Sequence, residues 1–396
     1  MLVINDLKIS GIGGINHLEI KFNKGLNLIC GPNGVGKTTI LESIAEVFSD
    51  GTSKILKRNA NFQEGKCEIN YSTKDQENIS STYTLLNFEP LQSVGWHSET
   101  GDLANNLIYF KTERSFSYQS LDAISKDPQR ESYQVKQNTP QGTQFSDFKN
   151  WFINRYVFSH INDQPNASQK KNMELAIECF GILDENIQFK TVQGDTFDIL
   201  LETPNGQIYY EYLSSGFKSC LFIIQGLIKE IEFRFKKEKS ISVRDFEGLV
   251  LIDELDLHLH PHWQSKLIHL LKKVLPKAQI IATTHSPHMI QNAEITELIP
   301  LGIDQNGQVI VRKLPSSQYG FQGWTVEEIL IDVMGLESTH SPIYTKSLRA
   351  FEQAIENENT HEILSIYKKL DLMLHPGNPL RKVLNLQVAQ SGGKIN

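Results

Sequence analysis

The stretch GPNGVGKTT, residues 31–39, carries glycine, lysine and a hydroxyl at a spacing that suits a triphosphate. Gly31, Gly36, Lys37 and Thr38 fill G-x-x-x-x-G-K-[ST] completely. Glycines let the backbone wrap phosphate oxygens closely, a lysine reaches the outer phosphates, and a hydroxyl at the last position ligates magnesium. The expected cradle is therefore Gly31, Asn33, Gly34, Gly36, Lys37, Thr38 and Thr39, with Thr38 on the metal. It implies binding of a nucleoside triphosphate with Mg2+.

Two further stretches carry groups that act on such a ligand. GLVLIDELDLHLHPHW (248–263) ends an apolar run in Asp253 and Glu254. Acids at the carboxyl end of a core strand face the ligand crevice of an α/β sheet. Asp253 is expected to hold magnesium and Glu254 to polarise the attacking water as a general base. AQIIATTHSPHMI (278–290) ends a second apolar run in His285, placed to hydrogen-bond a terminal phosphate. Lys37, Glu254 and His285 are thus the expected catalytic groups. The alternating His258, His260 and His262 can be read as metal ligands, but Pro261 and the helical spacing after it favour a turn lining a protein interface.

YLSSGFKS (212–219) is a serine–glycine corner feeding an apolar helix. Free backbone N–H groups and the helix dipole favour an anion there. With a better phosphate cradle some 180 residues earlier, the question is whose anion this corner holds.

Elements must bring these pieces together. LNLIC (26–30) reads as a buried strand and TILESIAEVF (39–48) as a helix, the context a phosphate loop needs. Strands are also expected around 2–9 and 17–22, in KCEINYS and STYTLL as an antiparallel pair, and on both sides of the Pro-Asn-Gly turn before the YLSSGFKS corner. DQNG (304–307) predicts another hairpin. The polar, Gln/Asn-rich segment from about 116 precedes two helix-like stretches, and four more follow residue 316.

Composition narrows the class. The chain has 396 residues, 39% of them hydrophobic, with no apolar run long enough to span a membrane and no basic-then-apolar leader at the start. Its four cysteines have no C-x-x-C spacing, which suits a reducing cytoplasm, the expected location. A net charge of −7 makes the surface no general polyanion magnet. DNA contact would need a local patch such as RFKKEK (234–239), which also reads as a solvated helix end.

In this order, the P-loop, the Leu-Ser corner, the Asp-Glu strand and the His strand resemble the ATP-binding-cassette (ABC) ATPases, most closely their SMC and RecF branch. The resemblance implies an α/β P-loop ABC-type ATPase head, ATP and Mg2+ as ligands, and hydrolysis to ADP and phosphate. It also answers the question of the corner: Ser214, Ser215, Gly216 and Lys218 would act in trans, capping a nucleotide held by a second protomer. Partners would then be a homodimer or a larger even-numbered oligomer. The chain departs from the family's L-S-G-G-[QE] at Ser215 and Phe217, which puts a slower hydrolysis in view. YFKTERSF (109–116) is the candidate Q-loop, with Arg114 near the nucleotide.

The expected organisation is an N-terminal head lobe (1–115), a short helical insertion (116–184), a C-terminal head lobe (185–315) and a helical extension (316–396). That extension resembles SMC-like ATPases of bacterial anti-phage systems, which act with a separate nuclease. No nuclease motif stands in this chain, so the resemblance implies a separate effector protein such as a nuclease. A RecF-like DNA-repair ATPase binding nucleic acid is the alternative, and a transporter subunit fits less well.

Overall fold

Buried runs such as LVLI and LNLIC, the latter broken only by Asn27, become the inner strands of one parallel sheet, covered on both faces. The fold is seen in a computed structural model that describes residues 1–53, 55–92, 94–96, 100–114, 116–128, 130–159, 166–235, 239–315 and 319–392. Residues 236–238 of the RFKKEK run and 115 of the candidate Q-loop lie outside the described residues.

An antiparallel sheet opens the chain: β1 (Leu2–Ile12) lies between β2 (Ile15–Lys21) and β5 (Gly65–Thr73), and β6 (Ile79–Leu85) pairs with β5. β4 (Gly51–Ser53) and β7 (Val94–Trp96) form a separate pair. The central sheet runs β15–β14–β3–β13–β12–β8. Its strands are β3 (Leu26–Cys30), β8 (Leu107–Phe110), β12 (Leu249–Ile252), β13 (Gln279–Thr283), β14 (Leu298–Ile303) and β15 (Val309–Val311). Only the β14–β15 hairpin, turning through DQNG, is antiparallel. A third sheet of β9 (Gln188–Val192), β10 (Ile199–Thr203) and β11 (Gly206–Tyr209) leads into the YLSSGFKS corner.

Alternate residues of the central strands feed two cores, as the period of two requires. Leu28, Phe110, Ile252 and Ala282 join one, while Ile29, Tyr109, Leu251 and Ile281 join the other. The second core is closed by α1 (Lys37–Val47) and the antiparallel sheet. The first is built around α5 (Ser215–Arg234), which is buried along almost its whole length and is apolar except for serines, the buried Gln225 and the charges Lys218, Lys229, Glu230, Glu232 and Arg234.

Against α5 pack α3 (Phe148–Ser159) and α4 (Ala167–Leu183), after the short α2 (Ser132–Asn138). Trp151, Phe152 and Phe180 lie in the same core as Phe217 and Phe222. The stretch expected as a helical insertion thus shares the head's core rather than enclosing one of its own. α6 (Pro261–Val274) and α7 (Pro287–Asn292) follow β12 and β13. Then α8 (Val326–Glu328) continues as a π-helical turn over Ile329–Val333.

The chain divides into two compact units, Met1–Gly335 and Leu336–Asn396. Phe321, Ile329, Val333 and Met334 belong to the first unit's core. The helical extension, placed from 316 by sequence, is accordingly a separate unit only from Leu336. That unit consists of α9 (Pro342–Glu356), α10 (Thr360–Met373) and α11 (Leu380–Gln390), closed around Phe351, Ile363, Leu370 and Leu384. Among the described residues no helix is long and apolar enough to cross a membrane.

Candidate functional site

The three motif ends meet because of strand order. The phosphate loop leaves β3, Asp253–Glu254 leaves β12, Thr283–His285 leaves β13, and β13 lies between the other two. All three leave at carboxyl ends, the side where α/β sheets bind ligands.

Gly31 and Gly36 have φ of 139° and 88°, inside the region that favours glycine. A Cβ on Gly31 would collide with the Leu301 carbonyl, and one on Gly36 would stand 2.8 Å from Ile15. The loop therefore closes over β14 and β2 only with glycine at both places. Asn33, Gly34 and Thr38 are exposed on it, and Thr39 is half-buried in the first turn of α1. Lys37 turns its ammonium onto the loop's own carbonyls, Gly31 at 2.9 Å and Pro32 at 2.7 Å. Burial lowers the Lys37 pKa, with Cys30 and Asp253 opposing. A terminal phosphate would offer this ammonium a stronger, charged acceptor.

Across the crevice, Asp253 is 3% exposed and receives two hydroxyls. Thr38 Oγ1 donates to its carboxylate at 3.0 and 3.1 Å, and Thr283 Oγ1 donates to Oδ1 at 2.7 Å. Hydroxyl and carboxylate thus converge as a Mg2+ ion bound mainly through phosphates and water requires, so the residues fit that ion. Glu254 has φ of 48°, in the left-handed region, and its N–H donates to Thr283 Oγ1 at 2.6 Å. Such backbone strain costs on the order of 1–3 kcal/mol and persists only where neighbours hold it.

One of those neighbours is Arg114, expected near the nucleotide and found bracing the acids. It is 2% exposed, and Nη2 donates to the carbonyls of Asp253 and, at 2.9 Å, Glu254. Nε donates to the Lys111 carbonyl at 2.9 Å. Burial brings the guanidinium down to about 10, against the pull of Asp253.

His285 is half-buried. Burial, and then the Lys37 ammonium, lower its pKa, so the imidazole is biased toward its neutral form. Its backbone N–H donates to Asp256 Oδ1 at 2.9 Å, and Thr284 Oγ1 donates to the same oxygen at 2.7 Å. Asp256 and Thr283 escaped the sequence reading. The signal for Asp256 was its place three residues beyond Asp253 in DELD; for Thr283 it was its place in the TTH run ahead of His285.

Ser214 caps α5, its hydroxyl accepting from Phe217 N–H at 3.4 Å. Ser214 and Ser215 are exposed, whereas Gly216 is buried. A Cβ on Gly216 would stand 2.6 Å from the His258 carbonyl and 3.1 Å from the Trp263 ring. The corner is therefore seated on the turn that follows its own chain's Asp253–Glu254. Phe217, at the family's Gln/Glu position, packs edge-on to Trp263 at 5.5 Å. Lys218 points back, donating to the Glu211 carbonyl at 3.3 Å. In the same turn His260 caps α6 and Pro261 opens it. Among the described residues no group of His, Cys, Asp or Glu is arranged to hold a metal by itself.

A phosphate cradle, a carboxylate pair at the end of the next strand but one and a histidine following the strand between them define a P-loop ATPase head. Residues 26–290 match the family described as "AAA domain, putative AbiEii toxin, Type IV TA system". The chain is 59% identical to the Septu protein PtuA of Bacillus thuringiensis over 395 residues, covering 100% of each chain. It is 25% identical to the Retron Vc95 probable ATPase of Vibrio cholerae serotype O1 biovar El Tor, with 68% of each covered. Among solved structures, the SMC head domain from Thermotoga maritima aligns over 79% of this chain and 99% of that one, at 16% identity and a TM-score of 0.43. The chain belongs to this AAA-domain family and, within it, to the Septu PtuA proteins.

Proposed function

We propose that this protein binds ATP with Mg2+ and hydrolyses it, that two heads pair around the nucleotide, and that the paired state controls a separate effector, a nuclease in anti-phage defence. The observation that carries the catalytic reading is the meeting of Thr38 and Asp253 beside Glu254 and His285 at adjacent strand ends. Lys37 would exchange its carbonyl partners for the outer phosphates, and Thr38 and Asp253 would hold the metal. When bound, Mg2+ neutralises phosphate charge and orients the oxygens. Glu254 takes a proton from the attacking water, and His285 donates a hydrogen bond to the terminal phosphate. Pairing is supported by the exposed Ser214 and Ser215 at the start of a long buried helix, where amides can face an anion from outside. The likeness to Septu PtuA and to a retron ATPase supports the defence role, and the separate effector is part of that proposal.

Titration of Mg2+–ATP into wild type and Lys37→Ala tests the base of this reading. Wild type should bind and Lys37→Ala should not, because the cradle loses its mobile cation. Equal affinity in the two would remove the nucleotide site from the account.

A further inference from the structure

The YLSSGFKS corner is set up by the residues just before it. A single helical turn, Tyr210–Tyr212, leads into Leu213 and Ser214. The Tyr210 carbonyl accepts from Leu213 N–H at 3.4 Å, and the Glu211 carbonyl accepts from Lys218 Nζ in the first turn of α5. Where Glu211 stands therefore governs where Ser214 and Ser215 stand. A side chain from another element holds it there: Lys149 of α3, whose ammonium lies 3.3 Å from Glu211 Oε1. The same nitrogen donates to Asp198 Oδ1 at 2.6 Å and to the Gln119 carbonyl at 2.7 Å. Asp198 immediately precedes β10, in the sheet that leads into the corner.

Burial makes these contacts matter. Lys149, Asp198 and Glu211 are 5%, 2% and 7% exposed. Buried charges need partners, and among the described residues neither carboxylate pairs with a second cation. Burial works against the Lys149 charge, but the Asp198 hydrogen bond and the Glu211 carboxylate outweigh it and raise the lysine's pKa. The Tyr118 ring centre lies 4.7 Å from the ammonium, within range of a cation–π contact. α3 offers the lysine from a fixed place, because its Phe148, Trp151 and Phe152 are buried in the head core.

A buried ion cluster is weak evidence for stability, and α5 is already held by Phe217, Leu221 and Ile224 in the core. What the cluster adds is placement, at the turn that opens onto the exposed Ser214 and Ser215. We propose that Lys149 is a positioning residue for hydrolysis: through Glu211 it sets where Ser214 and Ser215 stand toward a nucleotide held by a second copy of this chain. Lys149 itself needs no contact with that nucleotide. The inference rests on the proposed action of the corner in trans.

The test is made in mixed pairs. A Ser215→Arg chain keeps its cradle but loses its corner, and a Lys37→Ala chain keeps its corner but loses its cradle. Their mixture has one working site, built from the cradle of the first and the corner of the second. Lys149→Met added to the Lys37→Ala chain should lower phosphate release by the mixture at least about fivefold, the cost of a displaced corner. Added instead to the Ser215→Arg chain, whose corner is already lost, it should leave release within about twofold of the unmodified mixture. A substitution that merely loosened the head would lower release in both. Glu211→Gln, which leaves the Lys149–Asp198 pair in place, should show the same one-sided loss, and it decides the matter if Lys149→Met does not fold. Equal loss in the two mixtures, or none in either, would overturn the role of Lys149 and leave the shared site standing. No recovery by the unmodified mixture would remove the shared site itself, and the role of Lys149 with it.

Discussion

The Asp256 carboxylate accepts the backbone N–H of His285 at 2.9 Å, tying the chain just past β12 to the chain just past β13. The same oxygen takes the Thr284 hydroxyl, so one acid fixes both residues that end the TTH run. Asp256 needs no contact with nucleotide to matter. It sets where the imidazole stands.

Asp256→Ala is therefore expected to lower kcat for ATP at least about tenfold while leaving ATP affinity within about threefold, since a misplaced group costs rate before it costs binding. Asp256→Asn keeps an oxygen in the same place and should recover most of the rate. Steady-state phosphate release separates the two. A slow Asn variant beside a slow Ala variant would mean that charge, not placement, is what Asp256 contributes.

His285 gives a pH prediction for the nucleotide-free protein. Its folded pKa lies below the ordinary 6.5, with burial the main cause and Lys37 the next. As pH falls through 6.5 the unfolded chain takes up a proton that the folded chain resists, so stability is lost on the acid side. Urea unfolding in EDTA between pH 8 and pH 5.5 should show wild type losing more stability than His285→Gln. Parallel curves for the two proteins would contradict the assignment.

Much of this site was legible because its pieces are contiguous in sequence. Gly31 to Thr38 and the Asp253–Glu254 pair each sit in one short run whose flanking apolar residues announce strand and helix. Arg114 was harder. Its bond to the Asp253 and Glu254 carbonyls depends on β8 pairing with β12, a register between strands some 140 residues apart that no local pattern encodes. Asp256 depends on the left-handed turn at Glu254, a conformation that its residue type does not suggest. The helices after 116 read as an insertion because Gln/Asn-rich chain precedes them, yet Trp151 and Phe152 are wholly buried in the head core. The unit boundary was misplaced by about twenty residues for a similar reason: Ile329 and Val333 carry the same helical apolar spacing as the helices beyond Leu336, and spacing does not say which core a face joins.

The proposed action of the signature corner in trans has its own test. Ser215 is exposed at the start of α5, so Ser215→Arg should leave each cradle able to bind ATP while abolishing ATP-dependent pairing and turnover. Mixed with Lys37→Ala protein, it should recover at most about half of wild-type activity, because a mixed pair rebuilds one of two sites. Recovery should appear only in the mixture. Normal hydrolysis by Ser215→Arg alone would reduce the corner to a helix cap.

The central claim is that Glu254, held in its strained turn by Arg114 and Thr283, activates water against ATP bound on the neighbouring loop. The most direct measurement is single-turnover hydrolysis by Glu254→Gln beside its equilibrium affinity for Mg2+–ATP. Affinity should match wild type within about threefold and hydrolysis should fall at least about 100-fold, as removal of a positioned base requires. Turnover at the wild-type rate with intact binding would contradict the account.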